Sequence, residues 1–209
     1  MTVSITYSSA FGNISIKDVL SVWSTGFKTA GHGTGNTGGF NTGDGKYDGE
    51  QYATSGANNS EYAYIAGSDT DHGLHYVYNP LVSPGDNMNH YLWGELDSVQ
   101  LGTGLTGGKG SDFALQDYFV SFNGLDLSAA SDAGRAGNAV QDVIYGLMRG
   151  NVAGLDGVLN TLLSEFNLST DSTFDQLAAA GLAHADTAFA ADIGLVGVQD
   201  AAQDWALAA

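Results

Sequence analysis

Residues 73–94 read GLHYVYNPLVSPGDNMNHYLWG, and this stretch is the one that decides the fold class. Its two ends are rich in β-branched and aromatic residues, which are typical of strands, whereas its middle carries Asn-Pro, Ser-Pro-Gly and Asp-Asn turn signals. No helical pattern separates the two ends. Because strands that are joined without a helix usually pair in the antiparallel sense, the stretch predicts an antiparallel sheet with a long loop at its edge.

The sequence on either side of this loop predicts strands early in the chain and helices late. Glycine, asparagine and aspartate turns separate the strands, which are predicted over residues 3–7, 62–66, 74–78, 90–101 and 113–122. One helix is predicted near the start, over residues 14–27, because apolar residues recur there at helical spacing and Ser15 with Asp18 resembles a capping box. Residues 28–50 are dominated by Gly, Asn, Thr and Asp and are predicted to form a long loop.

The hydrophobic period becomes helical again after about residue 137. Two apolar stripes follow, one over residues 140–148 and one over residues 155–166, and a short third helix is predicted from a capping box at residues 172–175 toward Gly181. Strands followed by helices predict an α+β fold, with a curved antiparallel sheet that is packed on one face by helices.

The domain organisation follows from length and composition. The chain has 209 residues and no Pro/Ser-rich linker, so residues 1–185 are predicted to form a single domain. Residues 186–209 have weak periodicity and are predicted to be a flexible tail. Its end, QDAAQDWALAA, fits an uncleaved C-terminal export signal, although a frayed alanine-rich end is the simpler alternative.

The charge balance excludes several classes of partner. Six Lys+Arg against 23 Asp+Glu give a formal net charge of −17, which argues against binding to nucleic acid and to anionic membranes. The absence of cysteine excludes disulfides, thiolate nucleophiles and Cys-ligated metals. The N-terminus lacks the pattern of a cleaved signal peptide, and no apolar run approaches transmembrane length. An acidic, lysine-poor, glycine-rich composition is typical of extracellular bacterial proteins.

Two function classes other than carriers remain open from the residues alone. The segments GDGKYDG and GTGLTGGKGSD resemble calcium-binding repeats but lack a sustained nine-residue period, so a secreted calcium-binding protein stays an alternative. No hydrolase elbow, zinc-protease helix or phosphate-binding loop occurs. Carboxylates are numerous, and no spacing singles out the pair that a carbohydrate-active enzyme would need.

Two residues with reactive side chains stand out, a histidine and a tyrosine. His32 lies in a glycine-rich loop that offers a histidine little structural use, which favours a role as a metal ligand. Tyr76 lies in LHYVY, where strand alternation places it on one face with Leu74 and Tyr78. An ordinary amphipathic core residue is the alternative for Tyr76.

Long motifs along nearly the whole chain resemble those of the HasA-type hemophores, which Gram-negative bacteria export to capture extracellular haem. These motifs are SITYSSAFGNISIKDVLSVW at 4–23, NTGGFN at 36–41, DGEQYA at 48–53, LHY at 74–76, LWGELDS at 92–98, VIYGLM at 143–148, STFDQLAAAGLAHA at 172–185 and the terminal ALAA. The resemblance implies a two-layer α+β fold that holds haem between two loops at one edge. It also implies a carrier, not an enzyme.

The resemblance assigns site residues by motif. The histidine ligand of the family falls on His32, the tyrosine ligand on Tyr76, and the histidine that hydrogen-bonds to this tyrosine falls on His90. Tyr145 and Met148 match positions that line the family's pocket, although both also suit an ordinary core. The arrangement suits ferric haem b, because ferric iron favours phenolate oxygen while a free phenol has a pKa of about 10 and must be helped to lose its proton.

Two departures from the family pattern concern the loops. The loop before His90 carries an additional segment, VSPGDN, and the loop of His32 is shorter, with Gly33 after the histidine. Coordination by Tyr76 alone therefore stays an alternative to coordination by Tyr76 and His32. The haem propionates are expected to point to solvent, because the protein is acidic.

The resemblance also implies the partners and the location. The expected partners are haem, a TonB-dependent outer-membrane hemophore receptor that takes up the haem, and host haemoproteins as the source of haem. Neither nucleic acid nor membrane insertion is expected. The protein is expected to be secreted and monomeric.

Overall fold

The computed structural model describes residues 3–27, 38–43, 46–57, 60–71 and 73–186. Within these residues the chain forms a large, open and mostly antiparallel sheet with helices packed against it, which confirms the predicted α+β class. None of the described helices is long and apolar enough to cross a membrane. His32 lies outside the described residues, and so does the chain after Asp186.

The sheet has nine strands in the described part of the chain, and all of its pairings are antiparallel except the one between its first and last strands in sequence. The strands are β1 (Ser4–Ser8), β2 (Gly39–Phe40), β3 (Asp48–Gly49), β4 (Gln51–Ser55), β5 (Tyr62–Gly67), β6 (Leu74–Val77), β7 (Tyr91–Thr106), β8 (Ala114–Ala129) and β9 (Ala183–Asp186).

The long strand β7 organises the sheet, because one of its edges carries two different partners. Its first residues pair with β6, which places Tyr76 opposite Leu92, and its later residues pair with β5. The main strand order is β2-β4-β5-β7-β8-β1-β9, and β3 attaches to β6. The sheet therefore divides along β7 into a β5-β4-β2 part and a β6-β3 part.

The helices are α1 (Ile16–Phe27), α2 (Ala139–Met148), α3 (Ala153–Ser164) and α4 (Phe174–Ala179). Tyr64 of β5 contacts two of them: its ring packs edge-on against Trp23 of α1, and its hydroxyl donates to the carbonyl of Ile144 in α2 at 3.3 Å. These two helices therefore pack on the same face of the sheet. The core between helices and sheet is apolar and continuous, which is the main source of stability.

The structure corrects several of the predicted elements. Residues 28–50 were expected to be loop, yet Gly39–Phe40 and Asp48–Gly49 form short strands, and β4 was missed altogether. Their hydrophobic runs are too short to show the alternation of a strand. Pairing of β3 with β6 and of β4 with β5 holds them in the extended conformation. The capping box of α4 is formed by Thr173 and Gln176, one residue later than predicted.

The end of the described chain also differs from the prediction. Residues 183–186 form β9, which pairs with β1 in the parallel sense, so the sheet is not wholly antiparallel. A parallel partner was not expected, because β9 follows the helices and has only four residues. Asp186 lies in this strand, while the predicted domain limit at residue 185 and the predicted flexible tail stay predictions.

Candidate functional site

A cavity of about 1050 Å³ lies between the β2 and β4 strands, the β6 edge and helix α2. This volume is at the upper end of the range for sites that bind small molecules, about 300–1,000 Å³. Tyr76, His90, Tyr145 and Met148 all line the cavity, so the structure brings together four of the five predicted site residues. The fifth, His32, lies outside the described residues.

The described neighbours of segment 28–37, which contains His32, adjoin this cavity. Gly38 follows the segment and lines the cavity. Phe27 precedes the segment, and its carbonyl oxygen lies only 1.8 Å from the position that a Cβ atom on Gly56 would take, while Gly56 also lines the cavity. Both residues that flank segment 28–37 therefore lie beside the site.

Tyr76 and His90 form the polar centre of the cavity. The Tyr76 hydroxyl and His90 Nδ1 are 2.5 Å apart, which is a short hydrogen bond. Tyr76 lies on strand β6, not in the loop, and is half-buried, with its ring close to that of Tyr47. His90 is the residue immediately before β7 and has a φ of +55°, which is uncommon for a residue with a side chain. The additional VSPGDN segment therefore does not separate His90 from Tyr76.

The loop between β6 and β7 is ordered around Asn89, whose side chain is fully buried. Its amide nitrogen donates to the carbonyls of Asn79 and Val82, both at 3.0 Å. Its amide oxygen accepts from the backbone nitrogens of Asn79 at 2.8 Å and His90 at 3.0 Å. One asparagine thus ties both ends of the loop together and fixes the backbone of His90.

Arg135 holds the same loop from outside. Its guanidinium donates to the carbonyls of Asn89 at 2.7 Å, Asp86 at 2.7 Å and Pro84, and its backbone nitrogen donates to the carbonyl of Asn87 at 3.0 Å. Three of these acceptors belong to the VSPGDN segment. The additional segment is therefore anchored to the chain between β8 and α2 mainly through Arg135, and the backbone N–H of Ala136 adds a hydrogen bond to Asn87 Oδ1 at 2.9 Å.

Arg135→Gln is expected to loosen this loop, because the carbonyls of Pro84, Asp86 and Asn89 lose a charged donor. The measurement is the NMR signal of the His90 ring, which should broaden or shift relative to the wild type. Lys17→Gln is a control of equal charge change, because Lys17 pairs with Asp171 and does not line the cavity. An unchanged His90 signal in Arg135→Gln would contradict the anchoring role.

The electrostatic surroundings of Tyr76 oppose its ionisation. Burial raises the pKa of the Tyr76 phenol above its ordinary value of 10, and nearby Tyr47 acts in the same direction. The positive charge of Arg135 lowers this pKa. The phenol is therefore protonated at neutral pH, and its hydroxyl lies within hydrogen-bond distance of His90 Nδ1.

Helix α2 and strand β4 supply the apolar wall of the cavity. Met148 is buried, and its sulfur accepts a hydrogen bond from the Tyr52 hydroxyl at 3.4 Å. The Tyr52 ring packs edge-on against Phe40, with centroids 5.0 Å apart. Burial raises the pKa of Tyr52 well above its ordinary value, so this phenol stays neutral.

The comparisons with known proteins agree with this geometry. A family model described as Heme-binding protein A (HasA) matches residues 1–209. The chain belongs to the HasA family. Hemophore HasA of Serratia marcescens is 39% identical over 193 residues, which cover 90% of this chain and 97% of that protein.

Solved HasA structures share the fold of this family member. The holo hemophore HasA of Yersinia pestis matches with a TM-score of 0.70 and 24% identity, over 88% of this chain and 99% of that one. A hexagonal crystal form of the apo protein from the same organism matches with a TM-score of 0.70 and 25% identity, over 88% and 99% of the two chains. The predicted family resemblance is thereby confirmed, and these matches give no support to the calcium-binding or carbohydrate-active alternatives.

Three residues of this HasA-family site were missed at the level of sequence: Tyr52, Asn89 and Arg135. Tyr52 lies in the DGEQYA motif, but this motif indicates the family and not that the Tyr52 side chain lines the cavity. Asn89 directly precedes His90 at the end of a loop. Asparagine side chains often bond to the backbone of nearby turns, so its position was a usable signal. Nothing in the local sequence of Arg135 indicates its partners, which lie about 46–51 residues away.

Proposed function

We propose that this HasA-family chain is a hemophore, a secreted haem carrier and not an enzyme. The observation that carries the proposal is the short Tyr76–His90 hydrogen bond inside a cavity with an apolar wall. Membership of a family of haem-binding proteins supports it. A buried macrocycle would contribute about 25 cal/mol per Å² of apolar area before the costs of binding, so the wall matters as much as the iron bond.

The ligand of the iron in this proposal is the Tyr76 phenolate, with the haem as ferric haem b. Phenolate is an anionic oxygen ligand that suits ferric iron, and a histidine that takes its proton increases the phenolate character. His32 is proposed as the second ligand, since segment 28–37 is attached beside the cavity on both sides. Tyr145 and Met148 of α2 are proposed to contact the macrocycle.

The biological setting is proposed from the same family. Haem would be taken from host haemoproteins. The protein, as a monomer, would then bind a TonB-dependent outer-membrane receptor and pass the haem to it. The segment after Asp186 is proposed to carry a C-terminal signal for type I secretion. The carrier role requires that haem can both enter and leave the cavity.

A haem-transfer experiment tests the carrier function. The haem-free protein is mixed with methaemoglobin, the two proteins are separated by size, and the Soret absorption of each fraction is measured over time. Haem is expected to appear in the fraction of this protein at a one-to-one ratio. Retention of all haem by methaemoglobin under conditions where free hemin binds would exclude capture from a host haemoprotein.

His90→Ala is expected to lower haem affinity by about tenfold to 100-fold while Tyr76 stays in place, as is usual for a residue that tunes a metal ligand. The physical reason is that the proton of the Tyr76 phenol loses its acceptor, so less phenolate is available at neutral pH. His184→Ala is the matched control, because His184 bonds to Thr6 on β1 and does not line the cavity. Equal affinities of the two variants would contradict the role given to His90.

A further inference from the structure

The charges around the cavity differ from those of the rest of the protein. The chain carries 23 acidic residues and only six Lys+Arg. Among the residues that the structure describes, no Asp or Glu lines the cavity, whereas Lys46, Lys109 and Arg135 do. Half of the basic residues of a strongly acidic protein thus lie at one cavity, which indicates that its ligand is anionic.

Lys46 and Lys109 reach the cavity from two segments that meet at Gly43. Lys109 lies in the turn between β7 and β8, with a φ of +57°, and its Cα is 3.4 Å from the position of a Cβ on Gly43. The next residue, Gly110, donates its backbone N–H to the Asn41 carbonyl at 2.6 Å. On the other side, the backbone N–H of Lys46 donates to the Gly43 carbonyl at 3.3 Å. The β7–β8 turn is therefore fixed against the chain that leads to Lys46.

In the described part of the chain, no acidic side chain pairs with the ammonium group of Lys46 or of Lys109. Both side chains are exposed, and the ion pair found in the described part of the chain joins Lys17 to Asp171 instead. The guanidinium of Arg135 is already occupied by loop carbonyls. Lys46 and Lys109 are thus the cations at the cavity that are available to a ligand.

We propose that Lys46 and Lys109 form a carboxylate-recognition site at the mouth of the cavity, which takes the propionate groups of the porphyrin. This inference rests on the proposed haem-binding function. It changes the expectation that the propionates only point to solvent. The net negative charge of the protein repels an anionic ligand, whereas Lys46 and Lys109 at the mouth of the cavity attract it. A lysine ammonium is a compact charge on a flexible stem, which suits exposed carboxylates that can adopt more than one position.

The site is expected to act on both affinity and association rate. Exposed charge pairs are weak and are screened by salt, so no single lysine is decisive. Positive charge at the mouth of a cavity raises the local concentration of an anionic ligand and increases its association rate. Both effects should therefore decrease as the ionic strength rises.

The test compares haem with its dimethyl ester, which lacks the two carboxylate charges, on the wild-type protein and on Lys46→Gln, Lys109→Gln and the double variant. Each single substitution is expected to weaken haem binding about twofold to fivefold and the double substitution about tenfold, as for exposed charge pairs. Lys17→Gln is the control, because it makes the same change in net charge away from the cavity. The association rate of haem should also become less dependent on salt in the double variant.

The ester separates this inference from the proposed function. If the ester binds the wild type and the double variant equally well while haem binds the double variant more weakly, the lysines recognise the carboxylates. If haem and ester lose affinity equally, or if the double variant binds haem like the wild type, the inference is overturned. If the wild type binds neither porphyrin, the proposed function fails and this inference fails with it.

Discussion

Tyr76→Phe is expected to lower the affinity for ferric haem by at least about 100-fold, more than the loss of a residue that only orients a ligand. The phenyl ring keeps the packing against Tyr47, so the change removes only the oxygen that would bind the iron. The measurement is a hemin titration followed through the Soret band and the charge-transfer bands of ferric haem.

The matched control for this prediction is Tyr78→Phe. Tyr78 directly follows β6, on the same side as Tyr76, and packs near Tyr47 and His90, but it does not line the cavity. The same loss of a hydroxyl should therefore leave the haem spectrum as in the wild type. If Tyr76→Phe binds haem as tightly as Tyr78→Phe and with the same spectrum, Tyr76 is not the ligand.

Trp23→Ala is expected to lower the free energy of unfolding by about 3–5 kcal/mol, the usual range for a large buried aromatic residue. Trp23 is fully buried, stacks on Phe27 with centroids 4.6 Å apart, and donates its indole N–H to the Ala63 carbonyl of β5 at 3.0 Å. The substitution leaves a cavity between α1 and the sheet and removes the partner of a buried carbonyl. Denaturant unfolding of the haem-free protein, followed by circular dichroism, gives the difference.

The neighbouring residue provides the control for this stability prediction. Val22 lies on the exposed side of the same helix and is 59% exposed, so Val22→Ala should change the free energy of unfolding by less than about 0.5 kcal/mol. Similar midpoints for Trp23→Ala and Val22→Ala would mean that α1 is not attached to the sheet through Trp23.

Much of the fold could be predicted from periodicity because the decisive elements are long. Helix α1 and the hairpin of β7 and β8 carry enough residues for a period to be visible, and residues 73–94 show two strands around a loop. The short strands β2, β3 and β4 could not be predicted in this way. Their extended conformation depends on pairing with other strands, as with Tyr52 opposite Ala66, and this pairing is not visible in the local sequence. The parallel pairing of β9 with β1 joins the two ends of the described domain and has no local signal.

The candidate site was predicted through its family motifs more than through its physics. The LHY motif indicates Tyr76, and the histidine just before the LWG motif is His90; their 2.5 Å contact is consistent with both assignments. What holds them together could not be predicted, because Arg135 acts on an additional loop segment from a distant part of the chain. The basic residues at the cavity were also not apparent, since a net charge describes the whole chain and not its distribution.

The most direct test of the central claim is an absorption titration of the purified wild-type protein with hemin. The account predicts a Soret band that grows with added hemin and stops at one haem per chain, with the spectrum of ferric haem bound through a phenolate. Absorbance that rises without saturation, as for hemin that associates nonspecifically with protein, would contradict the claim that this chain is a haem carrier.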